Sequence, residues 1–141
     1  MDMSHEIGIS GNLESVYKAI TTVEGLKGWW TENTEKEGET FRFGFNKGQY
    51  WFKFKILNNE ENKSGEWECI EADEFTKDDW VGTFIKFELK EGKDQGSVIV
   101  KFDHKGWKDD SQGYARCNST WGHLMFSLKD YVEKGKGQPM Q

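Results

Sequence analysis

Within residues 41–45 and again within residues 50–56 large apolar side chains recur on every second residue, a spacing that scatters them around a helix but gathers them on one side of a strand. Phe41, Phe43 and Phe45 alternate with Arg42 and Gly44, and Asn46-Lys47-Gly48 supplies a turn. Tyr50, Phe52, Phe54 and Ile56 then alternate with Trp51, Lys53 and Lys55. The pattern predicts a β-hairpin with one aromatic face. The same period recurs in Trp67 and Cys69, in Thr83, Ile85, Phe87 and Leu89, and in Val98, Val100, Phe102 and His104. Short polar connections at residues 58–65 and 91–96 join these runs, so consecutive strands lie antiparallel with one face buried. Ile7 and Ile9 add a short first strand, which makes six.

Two regions follow a helical period instead. Leu13, Val16, Tyr17 and Ile20 share one helix face, with Asn12 placed to cap it and Glu14 in the first turn. Thr21 or Thr22 can cap a second short helix that runs through Gly25-Leu26-Lys27 to Trp29-Trp30. The polar segment 31–40 reads as a loop, and residues 72–80 as irregular and acidic. Near the end, Tyr114, Cys117, Trp121, Leu124, Met125, Leu128, Tyr131 and Val132 fall on one stripe at 100° per residue. That stripe predicts a helix of about twenty residues, ending near Gly135 and lying on the sheet. Asn118 sits at its edge, while Arg116 and His123 face solvent. Phe126 points away from the stripe and is expected to pack under a loop, the alternative being a contact surface. The order of elements is α+β: a strand, two short helices, five strands and one long helix, in a single domain over residues 1–141.

Leu, Ile, Val and Phe together make up 29 of 141 residues, close to the roughly 20% below which chains tend not to fold. Trp, Tyr and Met must therefore furnish much of the core, and the 7 Trp, 10 Phe and 4 Tyr are enough to do so. Large rings each bury on the order of 150–250 Å² but pack awkwardly and leave gaps. Inward parity assigns Phe41, Phe43, Phe45, Phe52, Phe54, Trp67, Ile85, Phe87, Phe102, Trp121, Met125 and Leu128 to the space between sheet and helix. Either they fill a core or they line a pocket for a small hydrophobic molecule, lipid-like or flat and polycyclic. In the second case His104 or Asn118 is the polar anchor. His104 is also the one inward ionisable group, and so the one candidate acid or base; the other reading is a core-edge histidine bonded to backbone.

Other functions are disfavoured by charge and motif. A net charge of −6 repels a phosphate backbone, so nucleic acid is a poor partner. No stretch approaches the ~20 apolar residues of a membrane span, and the start lacks a basic segment followed by an apolar one, which points to a cytoplasmic protein. Cys69 and Cys117 are expected to be reduced core thiols. His5, His104 and His123 lie in unrelated contexts, so neither a metal nor a cofactor is expected. The pairs Asp78-Asp79 and Asp109-Asp110 read as solvated loop charges. No nucleophile elbow, phosphate-binding loop or zinc motif is present in the sequence.

Four stretches carry a resemblance: residues 16–30 (VYKAITTVEGLKGWW), 80–89 (WVGTFIKFEL), 102–107 (FDHKGW) and 127–135 (SLKDYVEKG). Together they resemble the homologues of the activator of the 90-kDa heat-shock protein ATPase, a family of the START-like, or SRPBCC, superfamily. The resemblance implies a helix-grip fold, in which an antiparallel sheet curves around a long C-terminal helix and encloses a hydrophobic cavity. Three activities follow from the residues and the resemblance together: non-catalytic ligand binding in the aromatic pocket, a chaperone-ATPase-activating interaction suggested by the family, or a cyclase- or hydratase-type enzyme of the same superfamily, for which the resemblance supplies no catalytic set and inward parity offers His104 alone. The co-chaperones of the family pair this domain with a separate N-terminal one, for which 141 residues leave no room, and a monomer is expected. The chain departs from the family at Thr120-Trp121, where Gly-Trp is common, and at residues 10–13, where proline is common. A β-branched residue at 120 narrows close helix packing there.

Overall fold

In a computed structural model, which describes residues 2–108 and 112–141, the chain forms seven strands and four helices among those residues. The expectation for Asp109-Asp110 lies outside them. Strand β1 (Met3–Ser10) leads into α1 (Leu13–Thr21) and α2 (Val23–Trp29). Five strands follow as β2 (Asn33–Glu37), β3 (Thr40–Phe45), β4 (Tyr50–Glu60), β5 (Ser64–Ala72) and, after the short α3 (Lys77–Trp80), β6 (Phe84–Glu91). Then come β7 (Ser97–Lys105) and the long α4 (Gln112–Lys134).

All seven strands form one antiparallel sheet in the order β1-β7-β6-β5-β4-β3-β2. The sequence expectation of six strands is corrected by β2, which lies in the segment read as a loop. It pairs with β3 across a tight turn at Gly38, whose φ of 58° favours glycine. β2 is an edge strand with the sequence Asn-Thr-Glu-Lys-Glu, and only Thr34 is buried. Edge strands are commonly guarded by charge, which erases the alternation that betrays a strand. β1 is also longer than Ile7–Ile9, because Met3 is buried beneath the sheet's end.

The aromatic hairpin forms in the expected register. Phe41 pairs with Phe54, Phe43 with Phe52 and Phe45 with Tyr50, and the rings meet on the diagonal, Phe43 edge-on to Phe54 at 5.9 Å and Phe45 tilted against Phe52 at 5.6 Å. Asn46 and Lys47 take positive φ of 50° and 58° to turn the chain. Two register shifts in β4, at Lys53/Phe54 and Ile56/Asn58, bend the sheet.

Helix α1 starts at a capping box in which the Asn12 side chain accepts from Ser15 N at 2.8 Å. Thr22 caps α2 by accepting from Gly25 N at 3.0 Å. Gly25 lets the two helices meet closely, since a Cβ there would sit 2.6 Å from Ala19 O. α4 lies against β1 and the two short helices. It ends at Gly135, with a φ of 82° and its amide bonded to Tyr131 O at 2.9 Å. Phe126 is 63% exposed, so no loop covers it.

Candidate functional site

The largest rings converge where the first half of α4 faces the β3–β4 hairpin. Trp30, delivered by the end of α2, lies 3.9 Å from the Phe43 ring and 4.9 Å from Trp121. Trp121, on the apolar stripe of α4, packs 4.3 Å from Phe102. Opposite them Trp80 stacks on Phe52 at 3.8 Å and meets Phe54 edge-on. Rigid rings of this size meet at angles that do not fill space, and a groove of about 380 Å³ remains between them. Trp30, Phe45, Tyr50, Phe52, Trp80 and Trp121 supply its aromatic walls. Cys117, Leu124 and Met140 complete its apolar lining, and Thr76, Gly113, Arg116 and Thr120 add the more polar part.

A local hydrogen-bond cluster presents Trp80. The Asp73 carboxylate is buried and accepts from Trp51 N, Phe75 N, Thr76 N and Thr76 Oγ1 at 2.9–3.1 Å. These bonds fix the turn that leads into α3 and set its last residue over the hairpin. Met140 reaches the groove because the C-terminal segment runs back beside Thr31. Its amide donates to Trp30 O at 2.7 Å and its carbonyl accepts from Glu32 N at 3.0 Å.

His104 ties two of the tryptophans together from behind. Trp121 Nε1 donates to His104 Nδ1 at 3.1 Å, which leaves the ring proton on Nε2 to donate to Thr83 Oγ1 at 2.8 Å. Thr83 in turn donates to Trp80 O at 2.7 Å. His104 is 0% exposed, and burial pulls its pKa down to about 3. A neutral ring with both nitrogens engaged has no proton to exchange with a molecule in the groove, so the structure lends no support to an acid–base role. Asn118 is similarly occupied, its Oδ1 accepting from His5 Nε2 at 2.8 Å.

Of the residues singled out from sequence, Phe45, Phe52 and Trp121 border the groove. Phe43, Phe54, Trp67, Ile85, Phe87, Phe102, Met125 and Leu128 are buried in the packed interior behind it. The lining residues that sequence reasoning missed are of two kinds: Tyr50 on β4 and Gly113, Arg116, Cys117, Thr120 and Leu124 on α4 lie on elements that the sequence predicts, whereas Trp30, Thr76, Trp80 and Met140 come from a helix end, a turn, a single helical turn and the tail. Trp80 lies in an acidic stretch with no apolar period, Thr76 in the turn before it, and Met140 in the tail. A tryptophan in an otherwise polar segment was the one available signal. Cys69 and Cys117 are free, and burial pushes both thiols up to about 12. Among the described residues, no three His, Cys, Asp or Glu side chains come together as a metal site requires. No helix there is long and apolar enough to cross a membrane.

Known proteins resemble this chain along nearly its whole length. The solution structure of the Aha1 dimer from Colwellia psychrerythraea is 34% identical, with a TM-score of 0.82 over 97% of this chain and 99% of that one. An X-ray structure of a Staphylococcus saprophyticus protein shares the fold at 18% identity and a TM-score of 0.76, covering 98% of this chain and 96% of that one. A Bacillus halodurans solution structure does so at 21% identity and a TM-score of 0.72, covering 94% and 97%. No curated protein matches at a significant level. The family model described as Activator of Hsp90 ATPase homolog 1-like protein matches residues 11–133. With this match, and with an antiparallel sheet packed on a C-terminal helix, the chain belongs to the Activator of Hsp90 ATPase homolog 1-like family, among the SRPBCC-type folds.

Proposed function

We propose that this protein binds a small hydrophobic molecule, without chemical turnover, in the groove between α4 and the β3–β4 hairpin. The observation that carries the reading is an apolar space of about 380 Å³ walled by six aromatic rings. It falls within the roughly 300–1,000 Å³ typical of small-molecule sites. In this reading Phe45, Phe52 and Trp121 touch the ligand. Phe43, Phe54, Trp67, Ile85, Phe87, Phe102, Met125 and Leu128 form the rigid wall behind them. His104 and Asn118 hold the wall in place and leave the ligand to other groups.

The neutral fluorophore N-phenyl-1-naphthylamine tests this directly. Its emission rises on saturable transfer into an apolar site, and Thr120→Trp, which fills the groove, abolishes the rise in a folded chain. Absence of saturable binding to the native protein, or unchanged binding to Thr120→Trp, contradicts the proposal.

A second reading is a protein-interaction module acting on a chaperone ATPase, and the family membership and the exposed Phe126 favour it. It requires the native protein to stimulate a chaperone ATPase and Phe126→Ala to weaken that stimulation. The dimeric state of the Colwellia relative argues against the monomer expected from sequence.

A further inference from the structure

We infer that the groove takes a flat aromatic molecule bearing one anionic group, with Arg116 reading the charge. This inference rests on the ligand-binding proposal above and narrows its substrate class.

Among the described residues that line the groove, Arg116 carries the one formal charge, and no carboxylate lines it. None of the ion pairs among the described residues includes Arg116. A guanidinium held at the edge of an apolar slot in a chain of net charge −6 is out of keeping with its surroundings. Arginine presents its donors in a planar fork that matches a carboxylate, so a monoanion at this edge gains charge-assisted bonds that a neutral molecule lacks. Thr120 lies one turn along the same helix face, where its hydroxyl donates to Arg116 O at 2.9 Å and keeps lone pairs free.

The shape of the groove selects the rest of the molecule. Trp80 lies parallel to Phe52 on one wall, with an interplanar angle of 22°, and Trp30 and Trp121 form another. Ring faces favour offset-stacked and edge-on partners, so a fused aromatic ring gains more here than an alkyl chain of equal area. The overall negative charge does not prevent anion binding, because charges beyond about 8 Å are largely screened at physiological salt.

The test compares 2-naphthoate with 2-naphthalenemethanol, its neutral counterpart, and with decanoate, by isothermal titration on the native protein and on Arg116→Gln. Arg116 is exposed, so its replacement leaves the fold intact. A partly solvated ion pair gives about a three- to fivefold preference for naphthoate over the alcohol. That ratio falls to near one in Arg116→Gln and shrinks in high salt. A ratio near one in the native protein overturns the inference while leaving ligand binding standing, as does a ratio that survives Arg116→Gln. Decanoate binding as tightly as naphthoate overturns the aromatic assignment. Binding of neither naphthyl compound overturns the parent proposal as well.

Discussion

Acidification exposes the cost of holding His104 neutral behind the groove, and replacing it by glutamine isolates that cost. The folded ring has a pKa of about 3 because burial penalises its charge, whereas an unfolded histidine titrates near 6.5. The unfolded chain therefore takes up the proton first as the pH falls. The stability contributed by the neutral ring is complete above about pH 6.5, declines through the window down to about pH 3, and then levels off. One proton gives a slope approaching ~1.4 kcal/mol per pH unit, so moving from about pH 7 to about pH 4.5 removes about 2.5 kcal/mol. His104→Gln starts less stable at neutral pH, because Trp121 Nε1 and Thr83 Oγ1 lose their ring partner. A buried group left unpaired costs on the order of 1–3 kcal/mol. On acidification, however, the variant loses about 2.5 kcal/mol less than the native chain. Carboxylates such as Glu133 titrate in both chains and cancel. Urea unfolding followed by tryptophan fluorescence at the two pH values measures the difference. Equal losses in the two chains, or a folded-state titration of His104 near pH 6.5 by NMR, contradict a ring held neutral by burial.

The close crossing of α1 and α2 makes Gly25→Ala destabilising by about 1–3 kcal/mol in thermal or urea unfolding, since its methyl would press on Ala19 backbone. Gly8→Ala, whose Cβ meets nothing within 4 Å, stays within about 0.5 kcal/mol of the native protein. Asn12→Ala removes the α1 cap and costs about 1 kcal/mol in the same measurement. Cys69 and Cys117, with thiols raised to about 12, remain almost unmodified by iodoacetamide near pH 8 until the protein is unfolded. Labelling of the folded protein at the rate of a free thiol contradicts that.

The regular part of this fold was legible because its signals are periodic. The alternation within residues 41–45 and 50–56, the stripe from Tyr114 to Val132 and the Asn12 cap each predict their element directly. What stayed hidden lacks a period. β2 is an exposed edge whose Glu35, Lys36 and Glu37 read as loop, and α3 is a single turn held by the Asp73 carboxylate. The same limit applies to the groove. Phe45, Phe52 and Trp121 follow from parity, but parity says only that a residue points inward, and it treats Phe52 and Phe87 alike. Which inward ring borders open space depends on Trp80 and Met140, placed by irregular chain. His104 faces inward as expected, yet its partners are Thr83, in the connection just before β6, and Trp121 on α4, so its bonding could not be read from its own strand.

Whether the rings around the groove hold a small molecule is read from the indole N–H resonances of the tryptophans that wall it. In a nitrogen–proton correlation titration with 2-naphthoate, Trp30, Trp80 and Trp121 are expected to shift saturably. Trp67, buried behind the wall with its Nε1 bonded to Asn59 Oδ1, moves little. Shifts that never saturate, or that spare these three indoles, contradict binding in the groove.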